Sequence, residues 1–260
     1  MKGIYKVKNS RYFFILIFTM ALFILPNSTN VSAFEGRSNT FITPFSIIGE
    51  DGRTEVVNSE IMPYSSISFL FSLDSMCTGT IIDDDKVLTA AHSVYNPGTK
   101  QYYRNSTIYP GVNKDEFPFG SANSIEYIVP VQYIHSGNPK FDYAIIKLNK
   151  PIGHNIERLN FINIKYTLGN PIKVIGYLVD KLEETGKVSQ YEMEGRALSE
   201  DHFNLYYDID TSIGQSGAPI LNNKNEIIGI HIGRYRTNGL NGGIKVNKVM
   251  ENFIRRALEK

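Results

Sequence analysis

The chain is poor in several things at once. No apolar run is long enough to span a bilayer. The longest near the N-terminus, Tyr12 to Leu25, covers 14 residues and stops at Pro26, short of the roughly 20 that a spanning helix needs. It follows Lys2, Lys6, Lys8 and Arg11 and precedes the small residues Val31-Ser32-Ala33. That is the pattern of a cleaved export signal over 1–33, not of an anchor. Cysteine is almost absent: Cys77 is the only one. An exported chain with one cysteine cannot staple itself, so the fold must rest on packing, with the thiol as a small buried apolar group. No sign of charge dominates, with 27 Lys and Arg against 26 Asp and Glu. Without a basic block in the body of the chain, nucleic acid is not an expected partner. His92, His135, His154, His202 and His231 show no metal-ligand spacing, and Asp83-Asp84-Asp85 reads as a solvated turn. Neither metal nor cofactor is expected.

What is present is a foldable body. The 260 residues are 42% hydrophobic, enough for one or two compact domains and against wholesale disorder. Residues 34–45 are rich in Ser, Asn and Thr and read as a short propeptide, which puts the mature start near Ser46. Five of the bases and one of the acids precede Ser46, leaving 22 and 25 and a net charge of −3. The body, 46–260, alternates short runs rich in Val, Ile, Tyr and Phe with turn signals such as Asn96-Pro97-Gly98 and Gly137-Asn138-Pro139. Strands are expected at Ile67–Leu73, Lys86–Thr89, Ser124–Ile134, Tyr143–Leu148, Ile172–Tyr177, Gly186–Met193, Leu205–Ile209 and Ile227–Ile232. Many short strands with regular turns indicate an all-β barrel or sandwich. No internal repeat is visible. From Asn247 onward the apolar residues Val249, Met250, Phe253, Ile254, Ala257 and Leu258 recur at helical spacing, with Asn247 suited to the N-cap.

Three segments carry chemistry. They are Leu88-Thr89-Ala90-Ala91-His92, Phe141-Asp142-Tyr143-Ala144 and Gly214-Gln215-Ser216-Gly217-Ala218-Pro219. A serine hydroxyl holds its proton too tightly to attack at neutral pH. It needs a base, usually His, and the base needs an acceptor that fixes its tautomer. His92, Asp142 and Ser216 supply these roles in the order His, Asp, Ser, spaced by 50 and 74 residues, the order of the chymotrypsin arrangement. Glycines around Ser216 allow a tight turn that aims the Gly214 and Ser216 N–H groups at one spot, an oxyanion hole.

These segments resemble the trypsin-like serine peptidases and, more closely, the secreted bacterial glutamyl endopeptidases. The likeness runs from about Ser46 to the C-terminus. It includes Ser46 to Thr54, Cys77-Thr78-Gly79, Pro118-Phe119-Gly120, Asp210-Thr211 and Gly229-Ile230-His231. The resemblance implies two packed six-stranded antiparallel barrels closed by a C-terminal helix. His92 and Asp142 would stand on the first barrel and Ser216 on the second. It further implies that Thr211, His231 and the amine of Ser46 receive an acidic substrate side chain. The chain departs from the family at Ser93, where some relatives carry a cysteine that pairs with the Cys77 position. Ile213 stands where many have a second glycine, and Arg234 where many have a small residue. The expected function is a secreted, monomeric endopeptidase that cleaves proteins or peptides after Glu, less well after Asp, with no membrane contact once the signal is removed. Two alternatives stay open: a protease of narrow or different specificity, like the exfoliative toxins, and an inactive protease scaffold that only binds.

Overall fold

The computed structural model describes residues 51–164, 167–235 and 239–259, with the backbone of residues 42 and 43. The expected export signal (1–33), nearly all of the expected propeptide (34–45) and Ser46 lie outside the described residues. Twelve strands are labelled here in chain order. The first six are β1 (Ile67–Phe71), β2 (Met76–Asp83), β3 (Lys86–Thr89), β4 (Thr107–Pro110), β5 (Ala122–Ile128) and β6 (Ala144–Leu148). The next six are β7 (Pro171–Tyr177), β8 (Gln190–Glu200), β9 (Asn204–Tyr207), β10 (Pro219–Leu221), β11 (Ile227–Tyr235) and β12 (Asn241–Lys245). Every pairing among them is antiparallel. The first six close in the order β6-β3-β2-β1-β4-β5. The second six run β11-β10-β7-β8-β9-β12 and close through β11–β12. Read around the ring, the two orders are the same, so one topology occurs twice without a visible sequence repeat.

Closure leaves few free edges and encloses a core in each barrel. Leu70, Ile81, Val87, Ile108 and Ile146 fill the first, and Val174, Met193, Leu205, Tyr207 and Ile220 fill the second. Cys77 is free and buried in the first core, as expected.

The C-terminal helix follows the sequence closely. It spans Lys248–Leu258, and the Asn247 side chain accepts from the N–H groups of Val249 and Met250 at 3.0 and 3.1 Å. Met250, Ile254 and Ala257 are buried, and the Phe253 ring meets Tyr143 edge-on at 5.2 Å. The helix therefore braces the residue that follows Asp142.

Two expected strands are corrected. Ser124–Ile134 ends as strand at Ile128, and Val131–Ser136 is helical. Pro130 supplies an extended entry, and Gly137, at φ 61°, a left-handed C-cap, which only glycine adopts without cost. Gly186–Met193 likewise begins too early. Gly186 caps a helix over Val179–Thr185, and the strand starts at Gln190. Asp84 and Asp85 do form a turn, with Lys86 paired to Asp83 and Asp85, and Arg158 paired to Asp84.

Candidate active site

The antiparallel register of the first barrel brings His92 and Asp142 together. Ala144 at the start of β6 pairs with Thr89 at the end of β3. His92 lies three residues past Thr89, in a 3-10 turn over Ala91–Ser93, and Asp142 lies two before Ala144. Both therefore emerge at the same end of the barrel. Asn138 caps the turn that presents Asp142, accepting from Lys140 N–H at 3.1 Å. Asp142 Oδ1 accepts from His92 N–H at 2.8 Å, and Oδ2 stands 2.7 Å from His92 Nδ1. Asp142 is buried, while the His92 side chain keeps 35% of its surface. Burial alone would push the imidazole pKa down. The adjacent carboxylate, through its charge and its hydrogen bond, outweighs this and leaves the pKa raised.

Ser216 comes from the second barrel, in the loop before β10, and a clamp from the first barrel holds that loop. Thr78 on β2 donates its N–H to Ser216 O at 3.0 Å and its Oγ1–H to Gly214 O at 2.8 Å. Its own carbonyl accepts from Thr89 Oγ1 at 2.7 Å. Gly217 lies so close to Thr78 O, Thr89 Oγ1 and Ala90 N that a Cβ would collide, and its φ of 87° is a glycine conformation. The serine loop thus sits against the segment that leads into His92. Within the loop, Ser212 N–H donates to Gln215 Oε1 at 2.6 Å and Gln215 N–H to Ser212 O at 3.2 Å. Gly214 turns at φ 99°. The N–H groups of Gly214 and Ser216 make no hydrogen bond among the described residues. Both expected oxyanion donors remain available.

Of the expected substrate-binding residues, Thr211 and His231 belong to the same barrel as Ser216. Both are buried, and Thr211 Oγ1 has no hydrogen-bond partner among the described residues. The strand β11 joins His231 to the serine loop. Gly217 N–H donates to His231 O at 2.9 Å, and His231 N–H to Ala218 O at 2.8 Å. His231 Nδ1 lies 2.6 Å from Tyr207 Oη. Desolvation, and then the charge of His92, depress the His231 pKa to about 3 against a smaller opposing effect of the Gly242 backbone. Arg234 is half-buried and turns back on its own hairpin, donating from Nε to Gly239 O at 3.2 Å. Ile213 is exposed and accepts from Val179 N–H at 2.8 Å.

Sequence reasoning missed Thr78 and Tyr207 as site residues. Thr78 stands in the Cys77-Thr78-Gly79 segment that carries the resemblance, which was a signal. Tyr207 had none, because its role comes from a contact 24 residues away.

The trypsin family profile matches residues 55–252. A glutamyl endopeptidase of Bacillus licheniformis is 32% identical over 210 residues, covering 78% of this chain and 64% of that protein. One from Staphylococcus epidermidis is 28% identical, covering 82% of this chain and 74% of its own length. The chain thus spans just under two thirds of the Bacillus relative. A solved structure of a Glu endopeptidase in complex with MPD superposes with a TM-score of 0.81 at 39% identity, over 83% of this chain and all of that one. The protease Anisep from Arthrobacter nicotinovorans shares the fold at a TM-score of 0.66 and 17% identity. The chain belongs to the trypsin family of serine peptidases, among the glutamyl endopeptidases.

Proposed function

We propose that the chain is an exported serine endopeptidase that cleaves after Glu. The observation that carries the chemistry is the His92–Asp142 pair, 2.7 Å apart, beside a serine loop whose two N–H groups are uncommitted. His92 Nε2 takes the Ser216 proton as Oγ attacks the scissile carbonyl. Asp142 holds Nδ1–H and stabilises the imidazolium. The N–H groups of Gly214 and Ser216 receive the oxyanion. His92 then protonates the leaving amine, and water hydrolyses the acyl-enzyme by the same route. No cofactor enters.

The Glu preference rests on Thr211 and His231. A carboxylate leaving water needs hydrogen-bond donors. Thr211 brings a buried hydroxyl with no hydrogen-bond partner among the described residues. His231 brings a ring held by Tyr207 that stays neutral at working pH. With the Tyr207 hydroxyl donating to Nδ1, the ring proton sits on Nε2 and can be given to the substrate. Signal, propeptide and mature enzyme are assigned to 1–33, 34–45 and 46–260. The Ser46 amine then adds a positive charge for the substrate carboxylate.

The test compares kcat/KM for peptides that differ only before the scissile bond: Glu, Asp, Gln, Lys, Phe or Ala. Glu should lead and Asp follow, with neutral and basic residues poorer by roughly 10⁴ in the favourable limit. His231→Ala should erase the preference, and Ser216→Ala should lower turnover by several powers of ten, on the order of 10⁶. If Gln or Phe matches Glu, the carboxylate pocket is wrong. Near-native activity of Ser216→Ala would remove the nucleophile assignment.

A further inference from the structure

The backbone of Ile42 and Thr43, inside the assigned propeptide, adds a short antiparallel strand to β11, with Ile42 opposite Tyr235 and Thr43 opposite Arg234. This is the stretch of β11 that β10 leaves uncovered. β10 pairs with β11 only as far as Ile230, and the serine loop takes up His231. The other side of Arg234 is occupied by Asn241 of β12, so Thr43 lies on the open side, the side of Ser216.

The hydrogen-bond parity agrees. Tyr235 N–H donates to Leu240 O at 2.8 Å, and Tyr235 O accepts from Gly239 N–H at 3.0 Å. Tyr235 therefore spends both backbone groups on its own hairpin. In an extended strand the neighbouring residue points the opposite way, so the N–H and C=O of Arg234 face Thr43. Thr43–Arg234 is then the pair that exchanges two bonds.

Direction gives the strand its meaning. β11 runs away from the serine loop, from His231 to Tyr235, so an antiparallel partner runs toward it. We propose that the strand Ile42–Thr43 occupies the substrate cleft of this enzyme in cis, as an extended pseudo-substrate that runs toward the serine loop. The proposal rests on the protease reading above and adds the occupant of its cleft. The strand would block the cleft until the segment is removed. The chain is held again where Gly52 N–H donates to Asp210 Oδ2 at 2.9 Å, one residue before Thr211. Edge-strand addition supplies affinity through main-chain bonds and leaves side-chain identity free, which suits a segment that must bind without reacting.

The test uses the intact precursor carrying Ser216→Ala, so that nothing is cleaved, with and without Ile42→Pro/Thr43→Pro. The double change deletes the donor of the strand and lies outside both barrels, and circular dichroism verifies the fold. The first readout is hydrogen exchange at the Arg234 amide. Its exchange should quicken by at least about tenfold when the two prolines are introduced. The second is binding of whichever substrate peptide the specificity panel ranks best. The double variant should bind it at least about tenfold more tightly than the unaltered precursor. Equal exchange and equal binding in the two precursors would overturn the proposal. Neither readout depends on Glu being the preferred residue, so the specificity assignment can fail in the panel while the pseudo-substrate stands, and the reverse.

Discussion

The two histidines of the site show how one residue type is given two jobs. His92 sits half-exposed against a buried carboxylate, and its pKa rises. His231 is buried beside a phenol, and its pKa falls to about 3. His92 is active only when neutral. The rate should therefore rise with pH through one ionisation, above the ordinary histidine value of about 6.5. His231 is already neutral there and should leave no second step. The two also act oppositely on stability. The raised pKa of His92 contributes stability below about pH 6.5 that is lost as pH rises through its folded value. The depressed pKa of His231 contributes stability above about pH 6.5, lost as pH falls toward 3 by up to about 1.4 kcal/mol per unit. A kcat/KM profile and denaturation midpoints across pH 3–9 check both. A rate maximum below about pH 5 would point to carboxylate chemistry instead. Thr78 is the third residue whose chemistry matters. Its Oγ1 also accepts from Tyr177 N–H at 3.0 Å, so Thr78→Val strands a buried carbonyl and a buried amide, each costing about 1–3 kcal/mol. The carbonyl belongs to Gly214, beside an oxyanion donor. The variant should lose more than about tenfold in kcat with little change in KM, and Thr78→Ser should recover most of it. An unchanged kcat would reduce Thr78 to a packing residue.

At the scale of elements, the turn after β3 and the start of β2 meet where some relatives carry a disulfide. Ser93 follows His92, and its side chain is one of three hydroxyls beside the Cys77 thiol, whose pKa burial raises. Ser93→Cys should close the bridge. A 16-residue loop fastened in this way adds about 3 kcal/mol at best, which should raise Tm by several degrees. Thiol titration before and after reduction, with thermal unfolding of each form, decides it; a Tm unmoved by reduction would show that the geometry does not accommodate the bond. The same elements show what could be read in advance. β3 and the C-terminal helix were legible because period and capping agree there. β2 and β12 were not, since Gly79, Gly242 and Gly243 resemble turn signals. In the fold they serve close approach: a Cβ on Gly79 would meet Val87 at 2.6 Å, and one on Gly242 would meet Leu205 O at 2.6 Å. Local sequence cannot reveal what will lie opposite. For the same reason His92, Asp142 and Ser216 stood out through their immediate neighbours, while Thr78 and Tyr207, defined by partners far along the chain, did not.

For the whole molecule, the question is whether two closed barrels behave as two domains. Their contact is stitched by buried polar groups. Tyr177 of β7 donates its hydroxyl to Val112 O at 3.0 Å in the first barrel and accepts from Gln190 Nε2 at 3.1 Å in the second. Asn113 then bonds to Gln190 N–H at 3.0 Å and to Val56 O at 2.8 Å. Phe203, between β8 and β9, packs its ring against Phe141 at 6.1 Å, which braces Asp142 from the opposite barrel. Separating the barrels would expose these buried donors and acceptors while also parting Ser216 from His92. A half-unfolded state therefore loses the seam without losing the entropy cost of the barrel that remains folded. Chains of this size often unfold in more than one step, but here the seam favours one. Activity and far-ultraviolet circular dichroism should fall with the same midpoint in denaturant. Tyr177→Phe, which leaves Val112 O and Gln190 Nε2 short of a partner, should lower that midpoint for both signals by about 1–3 kcal/mol of stability. If activity disappears at clearly lower denaturant than ellipticity, or if Tyr177→Phe splits one transition into two, the barrels are independent and the seam is only a contact.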